Sequence, residues 1–233
     1  MLSEKLMYWA SRPVVRSYTG TMLNMDVVRH EPFPAGAKIL AANHPSTTDP
    51  FFVASMFGQQ SFILINDLLF QVPLLGAYLR RSGHIPVKAG NGQWAVDTAL
   101  AHLQAGRTIM IFPEGALSPA EGGFQQARTG VARLALASGA PVIPVGIHLQ
   151  RDRIHAIESN VRGQVEVGRW YLRGPYHLTV GRGVAYAGDV EDRARVRTVA
   201  DQIMRRIIEM ARESENRFNR AAGAAVNGQL ALG

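Results

Sequence analysis

Two rhythms of hydrophobic and polar positions alternate along the chain. Short unbroken apolar runs are bounded by turn formers, and longer stretches carry apolar residues every three or four positions. The runs at 39–42, 62–65, 84–87, 108–112 and 142–147 predict buried strands. Residues 51–57 are apolar almost all round, as in a buried helix ended by Gly58. A helix is predicted from Asp67 to about Arg81. Another spans 93–104, with Ala95, Val96, Ala99, Leu100 and Leu103 as its stripe, and a third spans 126–138, ended by Gly139. Weaker strand signals stand at 165–167 and 177–180, followed by a polar, arginine-laced helix over 191–213. Helices alternating with short apolar strands predict an α/β fold with a mostly parallel sheet flanked by helices. At 233 residues the chain has room for one sizeable core. Residues 31–220 read as that domain, and 221–233 as a flexible tail of small residues.

Residues 1–30 mix apolar and basic positions. Leu2, Leu6 and Trp9 fall near one helical face, with Met1 and Lys5 beside them and Arg12 and Arg16 following. This predicts an N-terminal amphipathic helical appendage, which fits a membrane interface or packing on its own core. The formal charge of +7, from 25 basic and 18 acidic side chains, favours an anionic partner such as a bilayer, a nucleic acid or a phosphorylated substrate. Only Lys5, Lys38 and Lys88 are lysines, so the arginine content equally fits a compositional bias. The absence of cysteine excludes disulfides, zinc–thiolate sites and a cysteine nucleophile. No apolar run is long enough to span a bilayer, and the first ten residues lack the shape of a cleaved signal peptide. The expectation is a peripheral or monotopic protein on the cytoplasmic face of a membrane.

The candidate chemistry begins where the run at 39–42 enters Asn43-His44, with Asp49-Pro50 a short turn later. Asp49 reads as a helix N-cap with proline at the first helical position. His44 and Asp49 then lie across one tight loop, where the carboxylate can accept a hydrogen bond from one imidazole nitrogen and leave the other free for a proton. A capping aspartate beside an ordinary loop histidine fits the same residues. Glu114 also follows a predicted strand, so it and His44 both sit at the carboxyl edge where parallel sheets bind ligands. Gly90 to Ala95 matches G-x-G-x-x-A, but Asn91 as a helix cap explains it more simply.

Three blocks in order, Asn43-His44-x4-Asp49, Phe112-Pro113-Glu114-Gly115 and Pro141-Val142-Ile143-Pro144-Val145, resemble the lysophospholipid acyltransferase family, typified by 1-acylglycerol-3-phosphate acyltransferases. The likeness covers about residues 30–150. It implies direct transfer of a fatty acyl chain from acyl-CoA or acyl-carrier protein to a lipid hydroxyl, with no cofactor or metal and with membrane lipids as partners. His44 would be the general base and Asp49 would orient it. Asn43, Phe112, Pro113, Glu114 and Gly115 would belong to the substrate site. The family has an arginine where Leu117 stands and another near Lys88-Ala89, both associated with the acceptor's phosphate. Arg80, Arg81, Lys88 or Arg128 would have to replace them. The acceptor is then 1-acylglycerol-3-phosphate or a relative; an amino- or glycolipid hydroxyl is the alternative.

Other classes fit parts of the sequence. An ester or thioester hydrolase would need Ser46, Thr47 or Ser118 as nucleophile, since no G-x-S-x-G occurs. A metal hydrolase would draw on His44, Asp49 and Glu114, at an unusual ligand spacing. A basic membrane- or nucleic-acid-binding module lacks a recognisable nucleic-acid motif, so no nucleic-acid partner is expected.

Overall fold

The computed structural model describes residues 2–161 and 164–230. Leu2–Met22 forms α1, followed by Leu23–Arg29 (β1), Lys38–Ala42 (β2), Asp49–Ser55 (α2) and Ser61–Asn66 (β3). Then come Leu75–Arg81 (α3), Ile85–Val87 (β4), Gly92–Gln104 (α4), Thr108–Ile111 (β5), Gly130–Ser138 (α5) and Val142–Leu149 (β6). Ile154–Val161 (β7) and Gln164–Tyr171 (β8) make a separate antiparallel hairpin, and Gly174–Val180 (β9) and Arg193–Leu230 (α6) complete the chain. The main sheet has the order β1-β9-β6-β2-β5-β3-β4. Strands β6, β2, β5, β3 and β4 run parallel, whereas β9 runs antiparallel to β6 and carries β1 with it. The expected α/β architecture is therefore present, with a reversed edge pair.

Every residue of β2 is buried, because the strand is covered on both faces. Ile39 and Ala41 face a core built with α4, α5 and α6. Leu40 and Ala42 face a second core with Phe52, Val53, Tyr171 and Tyr176. The polar-looking helix α6 seats itself through Val196, Val199, Ala200, Ile203, Ile207 and Ala211, a helical stripe that is buried throughout. It crosses β6 so closely that a Cβ on Gly146 would stand 1.9 Å from the Ala211 nitrogen.

Several expectations need correction. Residues 1–30 are not all helical: the alternating Leu23, Met25 and Val27 turn inward and make β1, a short strand within the segment expected to be helical. The helical face read from Met1, Leu2, Lys5 and Leu6 lies outside the residues whose side chains are described. The helix expected over 67–81 is split into a 3₁₀ turn at Asp67–Gln71 and α3. Pro73 disfavours a helical Val72, which is extended (ψ 126°). The tail read as flexible continues α6 through residue 230, consistent with its alanines. Residues 231–233 lie outside those described.

His84 ties β3 to the α3–β4 turn by accepting a hydrogen bond from the Ile63 N–H at Nδ1 (3.3 Å), a bond that only the unprotonated nitrogen can make. Burial pulls its pKa down to about 4. The unfolded chain protonates this ring near pH 6.5, so between pH 6.5 and 4 it holds more protons than the folded one. Stability should be unaffected by this group above pH 6.5 and fall by on the order of 3 kcal/mol as the pH drops to 4. Urea titrations across that range should show the slope, and His84→Asn should flatten it.

Candidate active site

Strand β2 ends at Ala42, paired with Val145 of β6. The Asn43 side chain extends that ladder by one rung: its Nδ2 donates to the Ile147 carbonyl (2.9 Å) and its Oδ1 accepts from the Ile147 N–H (2.7 Å). Asn43 is buried, and both ends of its amide are used. It is thus a strand lock, not the substrate contact that the resemblance suggested.

The lock places His44 at the carboxyl edge of the sheet. Its ring stacks on Phe112, at the end of the neighbouring strand, with centroids 4.2 Å apart and planes at 26°. His44 Nδ1 lies 3.1 Å from Asp49 Oδ2. Asp49 is the first residue of α2, preceded by Thr48 at the cap, so its carboxylate does not cap the helix as expected. It turns back into the loop and is fully buried. There it accepts hydrogen bonds from the Ser46 N–H (2.7 Å), the Ser46 hydroxyl (2.8 Å) and the Tyr176 hydroxyl (2.9 Å). Burial and the neighbouring Asp49 push the Tyr176 phenol well above its ordinary pKa, so Tyr176 remains a donor. These donors satisfy an ionised carboxylate in place of water. The same carboxylate requires a proton on His44 Nδ1, which leaves Nε2 with its lone pair.

Glu114 has a different place from the one expected. It is buried, and its Oε1 accepts from the Ser118 hydroxyl (2.6 Å) and the His44 N–H (3.0 Å). Its Oε2 accepts from the Gln125 N–H (2.8 Å). With both oxygens holding the 115–125 loop against the end of β2, Glu114 is a staple behind the site and no longer a free acceptor-site carboxylate. Phe112 and Pro113 are buried; Phe112 walls the imidazole, and the Pro113 carbonyl accepts from the Arg128 N–H (2.7 Å). Gly115 has φ +68°, and a Cβ there would stand 2.3 Å from Arg128 Nε. The Arg128 side chain therefore lies on the Gly115 turn.

The other basic candidates are elsewhere. Arg80 donates to the Phe70 carbonyl, and Arg81 and Lys88 are exposed around α3 and β4. Three strand spacings separate β4 from β2, about 14 Å. None of the hydroxyls considered as nucleophiles bonds to the imidazole. Ser46 serves Asp49, Ser118 serves Glu114, and Thr47 Oγ1 accepts from the Arg169 N–H.

Two residues were missed entirely. Tyr176 comes from β9, and Arg169 from β8, whose backbone clasps the His44 loop through Thr47 N–H to Arg169 O (2.7 Å) and Arg169 N–H to Thr47 Oγ1 (2.9 Å). The Arg169 guanidinium donates to the Ser118 carbonyl. The only sequence signal was the alternation Val165, Val167, Arg169, which places these residues on one face of a strand.

Comparison with known proteins finds relatives of one family. The chain is 28% identical over 149 residues to a 1-acyl-sn-glycerol-3-phosphate acyltransferase of Saccharomyces cerevisiae, covering 61% of this chain and 49% of that protein. It is 29% identical over 168 residues to the enzyme of the same name from Pseudomonas aeruginosa, covering 70% and 63%. The chain thus spans about half to just under two thirds of the length of these curated relatives. The fold is shared with the crystal structure of the 1-acyl-sn-glycerophosphate acyltransferase PlsC from Thermotoga maritima, at a TM-score of 0.59 and 19% identity over 91% of this chain and 78% of that one. The family model described as Acyltransferase matches residues 24–148, more than half of the chain and a span that includes His44, Asp49 and Glu114, and the chain belongs to that family.

Proposed function

We propose that the protein transfers a fatty acyl chain from acyl-CoA or acyl-carrier protein directly to the hydroxyl of a lysophospholipid, 1-acylglycerol-3-phosphate or a close relative. The observation that carries this reading is His44, held through Nδ1 by a buried, fully hydrogen-bonded Asp49 and offering Nε2 at the carboxyl edge of the sheet. The names of the relatives support the acceptor class. A thioester is already activated, so the only proton to remove is the acceptor's. Nε2 takes that proton as the acceptor oxygen attacks the thioester carbonyl, giving a tetrahedral oxyanion and an imidazolium stabilised by Asp49. Collapse breaks the carbon–sulfur bond, and the imidazolium returns the proton to the leaving thiolate. No enzyme ester forms, in keeping with hydroxyls that are all engaged away from the ring. An acceptor panel tests the reading: thiol release from acyl-CoA should require a lysolipid and should match the lipid ester formed. Release without any acceptor would point to a hydrolase, and no release at all to a binding module.

We propose further that the reaction takes place at a membrane surface, on the cytoplasmic side. No helix among the described residues is long and apolar enough to cross a bilayer. Helix α1 is tied down by Tyr8, whose hydroxyl donates to the Phe57 carbonyl (3.0 Å), and by Tyr18 stacked on Phe52. Trp9 and Val14 remain exposed, and Leu74, 88% exposed at φ +63°, stands on the turn before α3. Apolar side chains beside Arg12 and Arg16 suit an anionic interface. The combined change Trp9→Ser, Val14→Ser and Leu74→Ser should weaken the affinity for anionic vesicles roughly 100-fold or more, at about 1–3 kcal/mol per apolar side chain, without lowering the melting temperature. Unchanged vesicle binding would remove this surface from the account.

A further inference from the structure

Leu117 leaves the 115–125 loop without an arginine of its own, yet two guanidinium groups reach that loop from outside it. Arg169 of β8 donates to the Ser118 carbonyl. Arg151, in the turn between β6 and β7, donates through Nη1 to the carbonyls of Pro119 (2.9 Å) and Ala120 (3.2 Å). Neither makes an ion pair within 4.0 Å among the described residues. Two of the nearby carboxylates are already committed, Asp49 to His44, Ser46 and Tyr176, and Glu114 to the loop, while Glu121 acts on Arg169 only from beyond ion-pair distance. Carbonyl oxygens orient a guanidinium but do not neutralise it. One donor, Arg169 Nη1, is buried with no partner. A cation packed into loops with an unused donor is costly unless something arrives to pair with it.

The position of that unused donor is informative. Ser118, which Arg169 holds, donates its own N–H to the His44 carbonyl (2.8 Å), and Thr47, which the Arg169 backbone holds, lies between His44 and Asp49. Arg169 therefore spans the two loops that frame the imidazole. Arg151 stands beside it and also lines an open cavity of about 540 Å³ together with Glu121, Gln150, Asp152, Glu215 and Phe218. Burial, and then Arg151, pull the Arg169 pKa below the ordinary guanidinium value, while Asp49, Glu114 and Glu121 oppose that shift; the two arginines and the site carboxylates share one electrostatic neighbourhood.

Building on the acyl-transfer reading above, we infer that Arg169, assisted by Arg151, is the seat for the phosphomonoester of the acceptor, delivered from the β7–β8 hairpin side and standing in for the missing basic residue at Leu117. Arginine's planar fork matches a phosphate, and Arg169 Nη1 is a donor that such an oxygen can take.

The test compares wild type, Arg169→Gln, Arg169→Lys and Arg151→Gln with two acceptors of the same chain length, lysophosphatidic acid and monoacylglycerol. Arg169→Gln should raise the KM for lysophosphatidic acid roughly 10- to 100-fold, the range for one charge-assisted contact. The KM for monoacylglycerol should rise far less, so that the ratio of the two acceptors' KM values rises about tenfold or more. Arg169→Lys should recover part of the loss, and Arg151→Gln should cost a few-fold. A purely structural tie would lower kcat with both acceptors equally and would overturn the inference. So would a loss that appears with CoA but not with dephospho-CoA thioesters, which would assign the seat to the donor. Line broadening of the glycerol 3-phosphate ³¹P signal supplies a readout that needs no acyl transfer. Broadening by wild type and not by Arg169→Gln supports the seat even if the acyl-transfer reading fails, and no broadening by wild type overturns it.

Discussion

Replacing His44 with alanine should lower kcat for acyl transfer by roughly 10²- to 10⁴-fold, the usual worth of a positioned general base. The fold should survive. The structural bonds at this position belong to the main chain: the His44 N–H donates to Glu114 and Ser118, and its carbonyl accepts from the Ser118 N–H, all of which alanine retains. What is lost is the ring, its stacking on Phe112 and the proton acceptor. The KM for the thioester should change little, because a base that acts in the transition state contributes little to ground-state binding. Circular dichroism and a melting curve, run beside a thiol-release assay, separate the two effects. Near-normal turnover by a folded His44→Ala protein would eliminate the general-base role.

Asp49→Asn should cost a comparable 10²- to 10⁴-fold, by another route. The side chain keeps its size, but one oxygen becomes an NH₂ group. Asp49 now meets donors on every side, from Ser46 N–H, Ser46 Oγ, Tyr176 OH and His44 Nδ1–H. An asparagine amide must point its own donor at one of them. Turned toward His44, it forces Nδ1 to accept, moves the ring proton to Nε2 and blocks the nitrogen that takes the acceptor's proton. That orientation also sets the amide donor against the Ser46 N–H, which costs stability; turned toward the Ser46 and Tyr176 hydroxyls, it makes those oxygens accept and keeps the tautomer, but the neutral amide no longer stabilises the imidazolium. The melting temperature of Asp49→Asn and its kcat together show which orientation prevails. A variant with unchanged kcat would show that Asp49 does not set the tautomer.

The parts of the site that are legible in the sequence are those that lie within one loop. The apolar run into β2 announced a buried strand, and the spacing from His44 to Asp49 is short enough to close across a turn without knowledge of the fold. The helix cap expected of Asp49 was a reasonable local reading, and tertiary donors from Ser46 and Tyr176 overrode it. Asn43 and Glu114 were legible as belonging to the site region and illegible in role. Whether a polar side chain faces substrate or locks a strand depends on partners such as Ile147 and Gln125, far away in sequence. Arg169 was out of reach for the same reason. It arrives on a hairpin with exposed apolar residues, whose pattern gave only a weak strand signal, and its meaning comes from meeting Ser118 and Thr47. Strand β1 escaped because an edge strand is half solvated, so Asn24 and Asp26 interrupt the hydrophobic signal without interrupting the ladder.

The central claim is direct transfer, with the proton taken by His44 and no acyl group resting on the protein. Rapid quenching of the enzyme mixed with radiolabelled acyl-CoA, with and without lysophosphatidic acid, tests it most directly. The account predicts that with acceptor the label appears only in the diacyl lipid, one thiol per ester, and that without acceptor neither protein-bound label nor free fatty acid accumulates. Label bound covalently to the protein before acceptor is added, at a level approaching one acyl group per chain, would contradict it.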